Sequence, residues 1–299
     1  MRGLLLRLGL VVADAVARSL PRGLAYALAD LGGRAWYRLA PDRRVLVAEN
    51  LGRIAQATGR PSGERAMRRM VELAFVNHAR YWLELLRSPH YRDEDIPRII
   101  TVDDWQRWEP VLRGGVVIAL PHLGNFEPYG HFIVEHGLRG VAPVEETDPP
   151  ELFEFMRSRR ASGKGVEVIP LARSYRPMVA ALRRGELVAL IADRDLAGDG
   201  VPVTMFGHAA TLPAGPATLA LRTDRPLMMA RVLRTAPERF AVRAELVEAP
   251  RTGDRDRDVA ALTAVLAARF EAAIAEAPEQ WWASFQPFWT DQRGGEANA

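Results

Sequence analysis

Cysteine is absent from this chain of 299 residues, and lysine occurs once, at Lys164. Without cysteine, disulfides, thiolate metal sites and cysteine nucleophiles are all excluded. Nearly every cationic side chain is therefore a guanidinium, which pairs well with phosphate and carboxylate groups. The same arginine bias also follows from a GC-rich genome, so it does not identify a ligand by itself.

The opening segment lacks an apolar run long enough to cross a bilayer. The longest run in the first twenty residues, 8–13, is flanked by Arg7 and Asp14. No small-residue cleavage site follows cleanly, which argues against a signal peptide. On a helical wheel the side opposite the charges holds Leu5, Leu8, Val12 and Val16. The segment predicts an amphipathic helix lying in a membrane interface; a surface helix packed on its own domain is the alternative.

Charge is unevenly spread along the chain. Residues 1–98 contain seventeen arginines against ten acidic residues, about +7, whereas the remainder is about −4. This asymmetry predicts an anionic surface as partner. Nucleic acid is not expected, because the basic segment lacks interleaved aromatic residues and the signatures of known modules. We therefore expect an anionic membrane surface.

Hydrophobic periodicity divides the chain near residue 90. Residues 1–90 have helical periodicity, whereas strands and helices alternate after Ser88 and Pro89. The alternation predicts an α/β fold with a mostly parallel central sheet flanked by helices. We expect a helical membrane-associating region over 1–90, and an α/β core over 91–299 that forms one integrated domain.

Two features of the second half qualify that pattern. Residues 226–234 and 239–247 have the pattern of an antiparallel pair, and a long helix is predicted to begin at Asp258. The stretch 200–207 is predicted to be an extended excursion. The aromatic segment 281–289 is expected to pack in the core; an interface anchor is the alternative.

The stretch LPHLGNFEPY, residues 120–129, directly follows an apolar strand pattern. Ligands of α/β sheets bind beyond the carboxyl ends of the strands, and His122 stands at such an end. Gly124 permits a sharp turn, Asn125 is a good helix cap, and Glu127 falls in the first helical turn. We expect the turn to bring Glu127 into a hydrogen bond with His122.

A carboxylate on one imidazole nitrogen leaves the other nitrogen free to act as a base. No G-x-S-x-G elbow is present, so the pattern favours general-base activation of a substrate hydroxyl without a covalent enzyme intermediate. The alternative is that His122 only ends the strand and Glu127 is a solvated acid. His131 and His136 follow at spacings that do not make them facing zinc ligands.

The motif resembles the His-x4-Asp/Glu motif of glycerolipid and lipid A-type acyltransferases. Four stretches occur in the order of that family, namely 115–127, 186–207, 212–228 and 278–289, and the resemblance covers roughly 40–290. Arginine and alanine richness and the absence of an N-terminal spanning helix make the chain most similar to the actinobacterial phosphatidylinositol mannoside acyltransferases. That branch prefers Asp where this chain has Glu127.

The resemblance implies a monotopic enzyme that uses long-chain acyl-CoA, palmitoyl-CoA above all, to acylate a mannose hydroxyl of a glycolipid. It implies that His122 deprotonates the acceptor and that Glu127 orients His122. No metal and no cofactor is expected, because acyl-CoA as co-substrate already supplies an activated acyl group. The enzyme is expected to lie peripherally on the inner face of the plasma membrane.

The resemblance also assigns roles outside the motif. A second acid comes from the DRD turn, and Asp195 is preferred over Asp193 as the catalytic one, with Asp193 and Arg194 expected to bind substrate. In the alternative, Arg194 neutralises both acids. Glu145 is expected to bind the acceptor head group, unless it is a plain loop acid.

One arginine is also assigned by the resemblance. Arg160, with Arg159 as its rival, is expected to bind phosphate of the lipid or of coenzyme A, unless it belongs to a basic helix face. Two other functions remain open. One is a lipid A-type or other glycerolipid acyltransferase, and the other is a non-catalytic lipid-binding protein.

Overall fold

The computed structural model describes residues 2–146, 149–160 and 165–293. The described helices are α1 (Arg2–Ser19), α2 (Arg22–Leu39), α3 (Pro41–Ala57), α4 (Glu64–Arg87), α5 (Ile96–Ile99), α6 (Trp105–Arg113), α7 (Glu127–Glu135), α8 (Pro150–Arg160), α9 (Tyr175–Arg183), α10 (Gly215–Thr223), α11 (Arg255–Glu276) and α12 (Thr290–Arg293). The described strands are β1 (Ile100–Val102), β2 (Val117–Leu120), β3 (Gly140–Val144), β4 (Val166–Pro170), β5 (Leu187–Ile191), β6 (Val201–Met205), β7 (His208–Leu212), β8 (Leu227–Ala236) and β9 (Arg239–Leu246).

Seven strands form the central sheet, in the order β1-β9-β8-β2-β5-β3-β4. The run from β8 to β4 is parallel throughout, and only the β8–β9 pair is antiparallel. The predicted α/β fold with a mostly parallel sheet and the predicted antiparallel pair are both confirmed. The sheet is therefore open, with the carboxyl ends of β2 and β5 side by side at its centre.

Helices cover both faces of the sheet, which is why the central strand β2 is apolar at every position. Its side chains alternate between two hydrophobic cores. Val117 and Ala119 point into a core shared with α3, α4, α10 and α11, whereas Ile118 and Leu120 point into a core shared with α6 and α7. All four residues are buried. The carboxyl end of β2 is therefore held in place by a hydrophobic core on each face of the sheet.

The helices α1 to α4 pack largely on one another, and α3 and α4 also pack on the C-terminal segment 278–285. Gly33 of α2 lies against Val76 of α4, where an added Cβ atom would be 2.6 Å from the Val76 Cα. Large apolar side chains remain exposed on the outer side of α1 and α2: Val11, Val12, Val16, Leu24, Leu28 and Leu31.

Within the described residues, none of the helices combines the length and apolar character that crossing a membrane requires.

The stretch 200–207 is extended outside the central sheet, as predicted: it contains β6, which pairs antiparallel with β7 in a separate hairpin. The long helix begins at Arg255 rather than at Asp258, because the Asp254 carboxylate caps the backbone N–H groups of Asp256 and Arg257.

Candidate active site

His122 and Asp193 meet because β2 and β5 are parallel neighbours in register. Leu120 pairs with Ile191, and each of the two polar residues stands two positions beyond its strand. The Asp193 Oδ1 atom lies 2.5 Å from His122 Nδ1, and Asp193 Oδ2 accepts the His122 backbone N–H at 2.9 Å. The ring of His122 is thus held by a carboxylate from the adjacent strand.

The carboxylate of Asp193 is completely buried and fully engaged. Its Oδ2 also accepts the indole N–H of Trp281 at 2.8 Å. Burial by itself would raise the pKa of Asp193, but the charge of His122 and the hydrogen bonds from His122 and Trp281 lower it below its usual value. Asp193 is therefore an ionised acceptor that holds His122, in the position where the sequence analysis prefers Asp195 as the acid and assigns Asp193 to substrate binding.

The predicted hydrogen bond between Glu127 and His122 is wrong. Glu127 begins α7 and accepts the Arg160 Nε–H at 2.7 Å and the Tyr81 hydroxyl at 3.3 Å. Arg160 Nη2 also donates to the Tyr81 oxygen at 3.2 Å. The side chains of Glu127 and Arg160 are 8% and 13% exposed, so this is a nearly buried ion pair. Glu127 is close to His122 along the chain, but its side chain is directed to Arg160 and Tyr81 and not to the imidazole.

The turn between His122 and Glu127 is shaped by a close backbone approach. Gly124 has φ +62°, and an added Cβ atom would lie 1.9 Å from the Val232 carbonyl oxygen. Asn125 follows and is fully buried; its Oδ1 accepts the Glu127 backbone N–H at 3.0 Å. The predicted sharp turn and helix cap are therefore present.

A buried charged cluster supports the same turn from the helical region. Glu84 of α4 accepts the Asn125 side-chain amide at 2.8 Å, the Tyr26 hydroxyl at 2.6 Å, and two N–H groups of Arg234. Glu84 is inaccessible to solvent, and the Arg234 side chain is 3% exposed. Every carboxylate oxygen of Glu84 thus has a partner, as a buried charge requires.

Asp195 is predicted to be catalytic, but its hydrogen bonds are to the loop that follows it and to the β6–β7 hairpin. It accepts the backbone N–H groups of Gly198 and Gly200 and the Thr211 hydroxyl, at 2.8 to 3.0 Å. Arg293 approaches its Oδ2 at 3.4 Å. Burial by itself would raise the pKa of Asp195, but these hydrogen bonds and the charge of Arg293 lower it. Asp195 therefore closes the loop that leads into the β6–β7 hairpin.

The remaining predicted residues lie around this centre. Arg194 is half-buried and lies between the two acids in the sequence. Asp195 pairs with Arg293, and Asp193 pairs with His122. Glu145 is exposed just beyond β3. The side chain of Arg159 lies outside the described residues.

The aromatic segment near the C-terminus closes over His122. Trp282 lies edge-on to the imidazole with ring centroids 4.3 Å apart, and its backbone N–H donates to the His122 carbonyl at 3.0 Å. Trp281 is 1% exposed and Trp289 is inaccessible, so core packing of this segment is confirmed. The sequence analysis did not identify Trp281 and Tyr81 as site residues. The signal that could have identified them is that each places a hydrogen-bond donor, an indole N–H or a phenol O–H, within an otherwise apolar stretch.

An apolar cavity lies beside this centre, between α7 and the sheet. Its wall is formed by β2, β3, β4, β5 and α7 and is mostly apolar; its ionisable side chains are Glu127, His131 and Arg160. Ile133, Val166 and Leu187 lie at the amino ends of the strands, and Phe126, Glu127, Arg160 and Ile191 lie at the carboxyl ends. Phe126 stacks near Trp282, 6.1 Å between ring centroids, and so links the cavity to His122.

Comparison with known proteins places this site within a full-length match. A family model described as bacterial lipid A biosynthesis acyltransferase matches residues 4–290. A phosphatidylinositol mannoside acyltransferase of Mycolicibacterium smegmatis is 30% identical over 300 residues, which cover 98% of this chain and 94% of that protein. A protein of the same name from Mycobacterium tuberculosis (strain CDC 1551 / Oshkosh) is 32% identical over 222 residues, 71% of this chain and 68% of that protein.

Proposed function

The chain belongs to the bacterial lipid A biosynthesis acyltransferase family, and from this premise we propose that it moves a long-chain acyl group from acyl-CoA to a sugar hydroxyl of a glycolipid. The observation that carries the proposal is the His122–Asp193 pair at the carboxyl edge of the sheet. Such an edge is where α/β sheets bind ligands. An imidazole that is 14% exposed and is backed by a fully buried carboxylate is suited to proton transfer.

The chemistry follows from the two ring nitrogens of His122. Asp193 accepts a hydrogen bond from Nδ1–H, so Nε2 of the neutral ring has a free lone pair. Nε2 takes the proton of the acceptor hydroxyl while that oxygen attacks the thioester carbonyl carbon. The carbon–sulfur bond then breaks, and the thiolate of coenzyme A takes the proton back from the imidazolium. The new ester forms directly, without an acyl-enzyme.

The acyl chain would occupy the cavity beside α7. Its wall is almost entirely apolar, and burying each methylene contributes about 0.8 kcal/mol. Glu127 and Arg160 lie at its polar end, near the strand ends that hold His122. We propose that Glu127 positions Arg160 there, and that Arg160 faces the thioester or phosphate end of the donor.

The acceptor is proposed from the relatives. Two proteins named phosphatidylinositol mannoside acyltransferase match this chain, one of them over 98% of its length. We propose a mannose hydroxyl of phosphatidylinositol mannoside as the acceptor. Glu145, exposed just beyond β3 at the same edge, is proposed to contact the head group.

Transfer of radiolabelled palmitoyl-CoA to purified lipids tests the proposal. We expect a labelled product with phosphatidylinositol mannoside and none with a lipid A precursor, and we expect His122→Ala to abolish it. A product only with the lipid A precursor would reject the acceptor. Binding of palmitoyl-CoA without transfer to either lipid would favour a lipid-binding protein instead.

Attachment to the membrane is proposed through α1 and α2. Their outer side exposes Val12, Val16, Leu24 and Leu28, an apolar surface on a region with excess arginine. An amphipathic surface of this kind lies in the interface without crossing it. We propose peripheral binding at the inner face of the plasma membrane, where anionic lipids attract arginine.

A further inference from the structure

Gly130 stands in the interior of α7 with no local reason to be glycine. Its φ lies outside the left-handed region, and an added Cβ atom would meet nothing within 4 Å. A glycine inside a helix is less favourable than alanine, because it loses more backbone freedom on folding. The missing side chain therefore leaves space that the fold itself does not use.

That space belongs to the apolar cavity, because Gly130 lines it. The other cavity-lining glycine in the described chain, Gly140, differs: its Cβ atom would lie 2.6 Å from the Leu187 carbonyl oxygen. Packing between neighbouring strands therefore explains Gly140. Packing does not explain Gly130, and its place on the cavity wall distinguishes it from Gly52 of α3, whose Cβ position is also open.

The position of Gly130 divides the cavity into two parts. The wall follows β5 from Ile191 to Leu187, a distance of about 13 Å for a strand of this length. Along α7, Gly130 lies one turn beyond Glu127 at the polar end and one turn before Ile133. A chain entering at the polar end must therefore pass Gly130 to reach Ile133, Val166 and Leu187.

We propose that Gly130 is a specificity-determining residue that admits long acyl chains to the inner half of the cavity. This inference rests on the proposed function, since it assigns that enzyme a preference for long-chain over medium-chain donors. A larger side chain at position 130 points into open space, so it fills the passage without displacing backbone. Medium chains place fewer methylenes beyond Gly130 than long chains do, so they lose less binding when the passage is filled.

The test compares kcat/KM for octanoyl-, decanoyl-, lauroyl- and palmitoyl-CoA in the wild type, Gly130→Ala and Gly130→Leu. Losing the burial of even two methylenes costs about tenfold, so Gly130→Leu should lower the palmitoyl-to-octanoyl ratio at least about tenfold. Gly130→Ala should lower it less. Gly52→Leu is the matched control, because Gly52 of α3 also has nothing within 4 Å of its Cβ position and lies outside the cavity wall.

Two outcomes would overturn the inference. One is an unchanged ratio in both Gly130 variants; the other is an equal shift in Gly52→Leu. Circular dichroism checks that Gly130→Leu is folded, and Gly130→Ala decides the question if it is not. A wild type that transfers from none of the donors rejects the proposed function instead. Displacement of a fluorescent fatty acid by octanoate and palmitate then tests Gly130 alone, with the same shift expected and no shift contradicting it.

Discussion

Asp193 holds His122 at two points, because one carboxylate oxygen lies 2.5 Å from Nδ1 and the other accepts the backbone N–H at 2.9 Å. The two contacts fix both the end of β2 and the rotation of the ring. Trp281 fixes the carboxylate in turn, with its indole N–H 2.8 Å from Oδ2. The imidazole is therefore oriented by the protein itself, as the proposed role of a preorganised base requires.

Asp193→Asn should nearly abolish transfer while leaving the fold intact. An amide in place of the carboxylate can donate to Nδ1 and so favours the wrong tautomer of His122, a change that costs about 10³- to 10⁴-fold in kcat. Asp195→Asn is the matched comparison, two positions along the chain. It should lower kcat only a few-fold but lower the melting temperature by several degrees, because it weakens contacts to Gly198, Gly200 and Thr211. The reverse ranking would mean that Asp195 is the catalytic acid.

His122→Gln should remove the base without removing the donor site. Loss of a general base costs about 10²- to 10⁴-fold in rate, whereas binding of palmitoyl-CoA should change little because the cavity wall is untouched. His136→Gln, at the opposite end of α7, is the control and should keep its activity. Equal activities of the two variants would exclude His122 as the base.

The ion pair between Glu127 and Arg160 should show strong energetic coupling. Each single substitution, Glu127→Gln or Arg160→Met, leaves a nearly buried group unpaired and should cost about 3–5 kcal/mol of unfolding free energy. The double variant should cost less than the two together, by about 1–3 kcal/mol. Urea unfolding measures the cycle. The exposed pair of Glu64 and Arg68 should give a coupling near zero, and equal couplings for both pairs would contradict a structural role for Arg160.

Acid should destabilise the protein through His78. Burial among aromatic rings, and to a lesser extent the charge of Arg43, lowers the pKa of His78 to about 4. The folded protein therefore keeps this ring neutral, while the unfolded chain takes up a proton as the pH falls below about 6.5. Stability is unaffected above that pH and is lost progressively down to about pH 4.

His78→Phe should remove part of that acid sensitivity. Between pH 7 and pH 5 the wild type should lose on the order of 2 kcal/mol through this one histidine, and the variant should not. Urea unfolding at both pH values measures the difference. Parallel losses in the two proteins would show that His78 is not the source.

Vesicle association should depend on the apolar outer side of α1. Val12→Glu together with Val16→Glu adds negative charge to an exposed apolar surface, without touching the packed residues Asp14 and Ala17. Co-sedimentation with anionic vesicles should fall about tenfold or more, and salt should weaken it in the wild type. Retained binding after both treatments would contradict an interfacial role for this helix. The exposed residue Leu171, replaced by Glu, is the control.

The fold and the location of the site were predictable from local pattern. A strand covered on both faces has an uninterrupted apolar sequence, and β2 and β5 both have one, so the position of their carboxyl ends, and of His122 beyond one of them, followed. The partner of His122 did not follow, because it depends on strand order. Glu127 is closer along the chain, but β2 and β5 are adjacent in the sheet, and equal offsets beyond their ends bring Asp193 to the ring.

Side-chain roles at the loops were the least predictable part. Asp195 is an acid just beyond a central strand, as a catalytic acid would be. Its carboxylate nevertheless accepts two backbone N–H groups of the loop that follows and the hydroxyl of Thr211 in β7. Arg160 lies on the cavity wall, but its pairing with Glu127 depends on how α8 lies against α7. A contact between distant segments decides the case of Arg160, and the shape of the loop 195–200 decides the case of Asp195; local periodicity encodes neither.

The cluster of Tyr26, Glu84, Asn125 and Arg234 makes evolutionary exchange between the two halves of the molecule costly. A hybrid protein that took its first ninety residues from a relative would keep Arg234, but the residue at position 84 that pairs with it would come from the relative. Without a matching acid the guanidinium would be stranded in an apolar interior, and the turn beside His122 would lose its support. Viable hybrids should therefore carry these four side chains together, as one inherited set.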